Sequence, residues 1–202
     1  MIKTIFFDIG GVLVDLHPER TENLLSEATG LPVEKLREVF PEEAHHEYER
    51  GDLSDDQFFQ EVKRSLPDSA PLSRDLFWKA WMALVGRPKP TARWIPQLQK
   101  TAPVWLLSNT NPYHVTHLLP DYSFYSSVDG AVFSYETGTR KPEAGIFREA
   151  LKRTNLHPEQ ALFIDDLAPN IEAARNQGFA TIRFHSPEQL ARDLDRLGFS
   201  ID

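Results

Sequence analysis

The stretch MIKTIFFDIGGVLVD, residues 1–15, carries a short apolar run that ends at a carboxylate, Asp8. The run Ile5-Phe6-Phe7 has the length of a buried strand, and the Gly10-Gly11 pair behind it is typical of a turn. The stretch lacks the long apolar region and the small-residue cleavage site of a signal peptide. We therefore expect it to form the first strand of the mature fold, with Asp8 at the carboxyl end of that strand.

Four further apolar runs of strand length follow, and amphipathic patterns of about 10 to 15 residues separate most of them. These runs are Val104–Leu107, Ala131–Phe133, Ala161–Ile164 and Ala180–Ile182. An alternation of strands and helices is typical of a parallel sheet covered by helices. We predict an α/β fold of the doubly wound, Rossmann-like class, in which functional residues gather beyond the carboxyl ends of the strands.

The segment between the first two strands has a different composition from the rest of the chain. Residues 16–86 contain 15 Asp or Glu against 8 Lys or Arg, whereas the other residues are nearly balanced. Apolar residues recur at helical spacing in four stretches, one of which begins with a capping box of Ser54 and Gln57. We predict a helical bundle, residues 16–86, inserted into an α/β core made of residues 1–15 and 87–202.

Polar residues follow three of the predicted strands, and one lysine stands between the third and fourth strands. They are Asp8, Ser108, Asn109, Lys141, Asp165 and Asp166. Carboxylates that converge at one rim of a sheet favour a hard cation such as Mg²⁺, while a hydroxyl and an ammonium are donors to an anion. This set predicts a phosphate ester site, because a carboxylate nucleophile, a metal ion and a lysine together serve phosphoryl transfer.

Four segments in order, FFDIGGVLVD, LLSNTN, RKPE and FIDDLAPNIEAARNQG, resemble the four motifs of the haloacid dehalogenase-like hydrolase superfamily. The helical insertion after the first motif resembles the helical cap of that superfamily. The resemblance covers essentially the whole chain, and within the superfamily it points to small bacterial sugar-phosphate phosphatases, including those that act on glucose 1-phosphate. It implies a Mg²⁺-dependent phosphatase that hydrolyses a small phosphorylated metabolite through an aspartyl-phosphate.

The resemblance also implies roles for single residues at the substrate. Asp8 would attack phosphorus, and Lys141 would orient Asp8 and offset charge. Ser108, together with Asn109, would hold the oxygens of the transferring phosphoryl group.

The metal ligands that the resemblance implies are Asp8, Asp166 and the backbone carbonyl of Gly10. Asp165 would be either a further ligand or a residue that supports the ligands. Both readings of Asp165 remain open from the sequence.

Gly10 departs from the usual pattern of the superfamily, whose phosphatases carry a second aspartate two residues after the nucleophile. That aspartate protonates the leaving group and later activates water, so this chain lacks the side chain that normally does so. Asp15 and His17 follow closely enough to act as substitutes, but capping at a hinge explains these two residues equally well.

Six residues of the insertion are polar or aromatic enough to contact a ligand: His45, His46, Glu49, Arg50, Trp78 and Trp81. The two histidines each have a charged residue four positions on, a spacing that we interpret as a solvated helix face. The two tryptophans are at helical spacing, and we expect them to pack the bundle.

Composition excludes several classes of protein. The formal net charge is −8, which argues against nucleic acid or an anionic membrane as a partner. The chain has no cysteine, and no run of about 18 apolar residues indicates a membrane span. We expect a cytoplasmic protein whose partner is a small metabolite, and the sequence gives no oligomeric state. Two alternatives to a phosphatase remain: a metal-independent dehalogenase, and a non-catalytic protein that binds a phosphorylated metabolite.

Overall fold

The computed structural model describes residues 1–201. The strands in this range are β1 (Thr4–Phe7), β2 (Val14–Leu16), β3 (Val85–Pro88), β4 (Val104–Ser108), β5 (Gly130–Phe133), β6 (Ala161–Asp165) and β7 (Ala180–Arg183). The α-helices are α1 (Pro18–Thr29), α2 (Val33–Val39), α3 (Glu42–Arg50), α4 (Asp55–Ser65), α5 (Arg74–Met82), α6 (Ile95–Leu98), α7 (Pro112–His117), α8 (Ser134–Thr137), α9 (Ala144–Thr154), α10 (Ala168–Asn176) and α11 (Pro187–Arg196). Short 3₁₀ segments lie at Pro90–Trp94, Leu119–Asp121 and Pro158–Gln160.

Five of the strands form one parallel sheet in the order β5-β4-β1-β6-β7. The first strand is central: Phe7 is in register with Leu106 of β4 and with Ile164 of β6. Each apolar run that the sequence analysis assigned to a strand lies in this sheet, so the predicted doubly wound α/β fold is confirmed. The carboxyl ends of β1, β4 and β6 consequently meet at one rim.

Both faces of this sheet are covered, which explains the unbroken apolar runs. In β1, Ile5 and Phe7 belong to one hydrophobic core, which contains residues of α6 and α11. Phe6 points the other way, into a second core with residues of α9 and α10. Successive residues of a strand alternate between its two faces. All three side chains are therefore fully buried, because each face has a core of its own.

Helices α1 to α5 share a hydrophobic core of their own, separate from the two cores of the sheet. Its centre is aromatic: Tyr48 stacks on Phe58 with ring centroids 4.4 Å apart, and Phe77 meets Trp78 edge to face. The predicted capping box is present at the start of α4, where Ser54 and Gln57 bond each other's backbone. We call α1 to α5 the cap helices.

A two-stranded antiparallel ribbon, β2 with β3, joins the sheet to the cap helices. Leu16 is in register with Val85, and the Lys89 ammonium lies 3.0 Å from the Asp15 carboxylate. The sequence analysis did not predict this ribbon, because strands of three and four residues are too short to show periodicity. No helix within residues 1–201 is long and apolar enough to span a membrane.

Candidate active site

A buried lysine joins two carboxylates at the rim of the sheet. The Lys141 Nζ atom lies 2.8 Å from Asp8 Oδ1 and donates a hydrogen bond at 2.7 Å to Asp165 Oδ2. Burial lowers the pKa of Lys141, but the two carboxylates outweigh it and hold that pKa above its ordinary value. The side chain is therefore an ammonium that balances charge at the ends of β1 and β6.

Asp8, immediately after β1, is almost fully buried, and its Oδ1 also accepts a hydrogen bond at 2.8 Å from the Ile9 amide. Burial raises the pKa of Asp8 to about 7, the Lys141 ammonium opposes that rise, and the charge of Asp165 adds to it. The Ile9 hydrogen bond also lowers this pKa, and the net rise means that further positive charge nearby would stabilise the carboxylate form of Asp8.

Three carboxylates come close enough to share one metal ion. Oxygen atoms of Asp8, Asp165 and Asp166 all lie within 4.8 Å of one another. Burial and the charge of Asp165 raise the pKa of Asp166, so a cation bound beside Asp166 would stabilise its ionised form. An oxygen-rich, electron-rich cluster of this kind fits a hard divalent cation such as Mg²⁺.

The glycine turn after β1 leaves room for this cluster. Gly11 has a positive φ of 76°, and a Cβ atom there would collide with the Asp166 carboxylate. A side chain at this position would therefore be strained and would also displace Asp166.

Asp165 has no free oxygen in this arrangement. Its Oδ1 accepts hydrogen bonds from the Leu167 amide at 2.8 Å and the Asn170 amide group at 3.1 Å. Its Oδ2 accepts from Asn170 at 3.0 Å and from Lys141 at 2.7 Å. The sequence left two roles open for Asp165, a metal ligand or a residue that supports the ligands. These contacts favour the supporting role, in which Asp165 holds Lys141.

Ser108, the last residue of β4, and Asn109, which follows it, make different contacts. Ser108 is buried, and its hydroxyl makes one long bond of 3.3 Å to the Asn109 carbonyl. The Asn109 side chain bonds the backbone of Lys141 twice: its Nδ2 donates to the carbonyl at 2.8 Å, and its Oδ1 accepts from the amide at 2.7 Å. The Ser108 hydroxyl is thus available to a ligand, whereas the Asn109 side chain holds the segment that carries Lys141.

A cavity of about 170 Å³ lies between this rim and the cap helices. Gly10, Ser108 and Asn109 line it from the sheet, and three side chains line it from the cap helices: His45, Glu49 and Trp81. The interpretation of His45 and Glu49 as a solvated helix face is wrong, because α3 turns this pair inward and leaves Glu49 only 9% exposed.

Two ion pairs attach α3 to the segment around Lys141. Glu49 Oε2 accepts a hydrogen bond at 2.8 Å from Arg140 Nε, and Arg50 Nη2 lies 2.6 Å from Glu143 Oε1. Arg140 directly precedes Lys141 in the chain, so the cap helices contact the same segment that presents the lysine.

Helix α5 is attached to α7 by aromatic contacts. Trp78 stacks on Tyr113 with ring centroids 3.9 Å apart, and His114 Nε2 lies 3.1 Å from the Trp81 carbonyl. Both tryptophans are buried in the cap core, as the sequence analysis expected, and Trp81 also lines the cavity. Burial lowers the pKa of His114 to about 4, so its imidazole is neutral and donates from Nε2.

Asp15 and His17, the two candidate substitutes for the missing acid, belong to the connection between sheet and cap. Asp15 pairs with Lys89 on the ribbon, and His17 Nδ1 lies 3.0 Å from Glu19 Oε1 at the start of α1. Neither residue lines the cavity. The hinge explanation therefore accounts for both.

Sequence reasoning missed two contributors: Asn170, which holds Asp165, and Arg140, which pairs with Glu49. Asn170 lies in the fourth quoted motif, five residues after Asp165 and in the first turn of α10. Its place in that motif was the available signal. Glu49 and Arg140 are 91 residues apart, and no local pattern reports such a contact.

Comparisons with known proteins identify relatives of this chain. The model of the haloacid dehalogenase-like hydrolase family matches residues 2–178. The chain is 29% identical to the D-ribitol-5-phosphate phosphatase of Bacteroides thetaiotaomicron, over 91% of this chain and 92% of that protein.

Two solved structures share the fold closely. A hydrolase of the same family from Porphyromonas gingivalis is 27% identical, with full coverage of both chains and a TM-score of 0.83. A family enzyme from Bacteroides thetaiotaomicron, solved with magnesium and inorganic phosphate, is 24% identical over 94% of this chain and 99% of its own, with a TM-score of 0.81.

Proposed function

The chain belongs to the haloacid dehalogenase-like hydrolase family, and from that premise we propose that it is a Mg²⁺-dependent phosphatase. In this proposal it hydrolyses a small sugar or polyol phosphate through an aspartyl-phosphate on Asp8. The observation that carries the proposal is the buried ion-paired group of Asp8, Lys141 and Asp165 at the rim of the sheet, where Gly10 and Ser108 line a cavity.

The first chemical step uses the Asp8 carboxylate as nucleophile. An Asp8 oxygen forms a bond to phosphorus, the ester P–O bond breaks, and its electron pair leaves with the alcohol oxygen, which takes a proton from solvent. Lys141 lowers the pKa of Asp8 and offsets the charge that accumulates as the two anions approach. The Ser108 hydroxyl is placed to donate to a phosphoryl oxygen.

The second step returns Asp8 to its starting state. A water molecule attacks the phosphorus of the aspartyl-phosphate, the P–O bond to Asp8 breaks, and inorganic phosphate is released. Asp165 and Asn109 hold Lys141 through both steps by its side chain and its backbone.

Asp8 and Asp166 would hold the magnesium ion, with the Gly10 carbonyl as the backbone ligand that the sequence analysis expects. When bound, Mg²⁺ supplies charge neutralisation for the phosphate and for the carboxylate cluster. The close set of three carboxylate oxygens supports this assignment, as does the magnesium complex of the related Bacteroides enzyme.

The size of the cavity and the relatives support a small substrate. A volume of about 170 Å³ is below the roughly 300 Å³ at which pockets for drug-sized ligands begin. The related protein from Bacteroides thetaiotaomicron is named for a five-carbon polyol phosphate. We also propose that residues 16–86 act as a cap over a core of residues 1–15 and 87–202, since three cap side chains line the cavity.

Phosphate release from a panel of sugar and polyol phosphates, with Mg²⁺ and with a chelator, tests this proposal. We expect release that requires Mg²⁺. Halide release from a 2-haloacid in the presence of chelator would identify a dehalogenase instead. Binding of phosphorylated metabolites without turnover would identify a binding protein.

A further inference from the structure

We propose that Glu49, with His45, binds hydroxyl groups of the substrate and thereby selects polyhydroxylated phosphate esters over apolar ones. The inference rests on the proposed phosphatase function and names the residues that would decide its substrate class. It assigns to the cap side of the cavity a role distinct from that of the Asp8 side, which takes the phosphate.

Glu49 supplies the acceptor of this subsite. One of its oxygens, Oε2, is bonded to Arg140, while Oε1 lies 3.8 Å from His45 Nε2, which is too long for a hydrogen bond. A nearly buried carboxylate oxygen beside a cavity is stable only when a donor reaches it. A neutral hydroxyl is such a donor, whereas a second phosphate would be repelled.

His45 supplies groups of the complementary kind. Its ring is packed against Phe40, Phe58 and Trp81, with centroid distances of 5.4 to 5.9 Å, and no residue of the described range hydrogen bonds to either nitrogen. Burial lowers the pKa of His45, so the ring is neutral and offers one donor and one acceptor. Both suit a hydroxyl, which is itself a donor and an acceptor.

The Trp81 ring is the apolar part of the same wall. It lines the cavity and packs on the His45 ring with centroids 5.4 Å apart. Trp81 therefore fixes the position of the His45 imidazole beside the cavity.

An apolar substrate would leave these groups unpaired. An alkyl chain that fills the cavity would cover the Glu49 oxygen and the His45 ring without bonding either. A site that hydrogen bonds a substrate hydroxyl strongly rejects analogues that lack the hydroxyl. An apolar pocket discriminates much less between substrates that differ only in size. The wall thus favours a chain with several hydroxyl groups.

The test compares two monophosphates with the same number of carbons and the same kind of leaving oxygen, D-ribitol 5-phosphate and n-pentyl phosphate. We expect the parent enzyme to have a kcat/KM for the polyol ester about 100-fold or more above that for the alkyl ester. In Glu49→Ala this ratio should fall by about tenfold or more, and in Glu49→Gln, which keeps an acceptor oxygen, by less.

Arg50→Gln is the matched control, because it removes the neighbouring ion pair between α3 and the sheet without touching the cavity. It should leave the ratio of the two kcat/KM values unchanged, whatever it does to the rates. An equal loss on both substrates in Glu49→Ala would overturn the proposal, since that pattern describes a proton donor or a closure contact. A parent enzyme that releases no phosphate from any ester would instead contradict the proposed function itself.

Discussion

The Lys141 ammonium and the Asp165 carboxylate form a hydrogen-bonded ion pair of 2.7 Å in which neither side chain is more than 1% exposed. Every oxygen of Asp165 is already bonded, whereas the adjacent Asp166 is partly exposed and accepts no bond from Lys141. Two neighbouring aspartates of identical chemistry therefore have different surroundings, and we expect them to have different roles.

Substitution of each aspartate by asparagine should separate these roles. Asp165→Asn leaves Lys141 with one carboxylate partner and should lower the free energy of unfolding by about 3 kcal/mol. Asp166→Asn should not destabilise the metal-free protein at pH 7, because the raised pKa of Asp166 means that its charge is unfavourable in the fold. Chemical denaturation in the presence of a chelator measures both, and equal losses would contradict the assignment.

Magnesium should stabilise the protein through the carboxylate cluster. An ion that binds only the folded state adds about 2.7 kcal/mol when its free concentration is about 100 times the dissociation constant. Thermal unfolding with increasing Mg²⁺ should show this rise for the parent and a much weaker one for Asp166→Asn. A melting temperature of the parent that does not respond to Mg²⁺ would argue against a metal site here.

His114 should make the protein sensitive to acid. Its pKa is about 4 in the fold and near 6.5 when unfolded, so the unfolded chain takes up the proton first as the pH falls between these values. The stability that the neutral ring contributes is complete above pH 6.5 and is lost towards pH 4, by about 3 kcal/mol in all.

His114→Gln, which keeps a donor for the Trp81 carbonyl, removes this titration. As the pH falls from 7 to 4, the free energy of unfolding should therefore decrease less for the variant than for the parent, by about 3 kcal/mol. Parallel curves for the two proteins would show that His114 titrates normally.

Gly10 should make the rate depend on the leaving group. Without an acid at this position the departing oxygen receives little proton help, so anomeric and aryl phosphates should be better substrates than primary alkyl phosphates. We expect the parent to prefer glucose 1-phosphate to glucose 6-phosphate, and Gly10→Asp to narrow that preference. Equal turnover of the two esters by the parent would mean that another residue supplies the proton.

A side chain at position 10 needs space that Leu16 occupies in the parent protein. A Cβ atom at Gly10 would lie 2.9 Å from Leu16 Cδ1, the end of a flexible and largely exposed side chain. The new aspartate should therefore be tested both alone and with Leu16→Ala, and Leu16→Ala alone serves as the control. A preference that Gly10→Asp does not move in either background would point to recognition by the cap helices.

The sheet and the polar residues at its rim could be predicted because their signals are local. Each strand contains a run of three or four residues that are apolar except for Thr181, and parallel strands bring Asp8, Ser108 and Asp165 to one rim whatever the intervening sequence. The residues on the cap side of the cavity could not be predicted, because a pair such as His45 and Glu49 has the same spacing on a solvated helix as on a buried one.

The choice between those two surroundings depends on contacts that are distant in sequence. Arg140 approaches Glu49, and His114 fixes Trp81, only after the chain has folded. The different surroundings of Asp165 and Asp166 could not be predicted for the same reason, since the partner of Asp165 is the distant Lys141.

Phosphoryl transfer to Asp8 is the central claim, and phosphate release by Asp8→Asn in saturating Mg²⁺ tests it most directly. The variant keeps the shape of the side chain and can still accept a hydrogen bond from Lys141, but it lacks the nucleophilic charge. We predict that its turnover of the best sugar phosphate falls by at least about 10³-fold, with the fold and phosphate binding retained. Turnover within about tenfold of the parent would show that Asp8 is not the nucleophile.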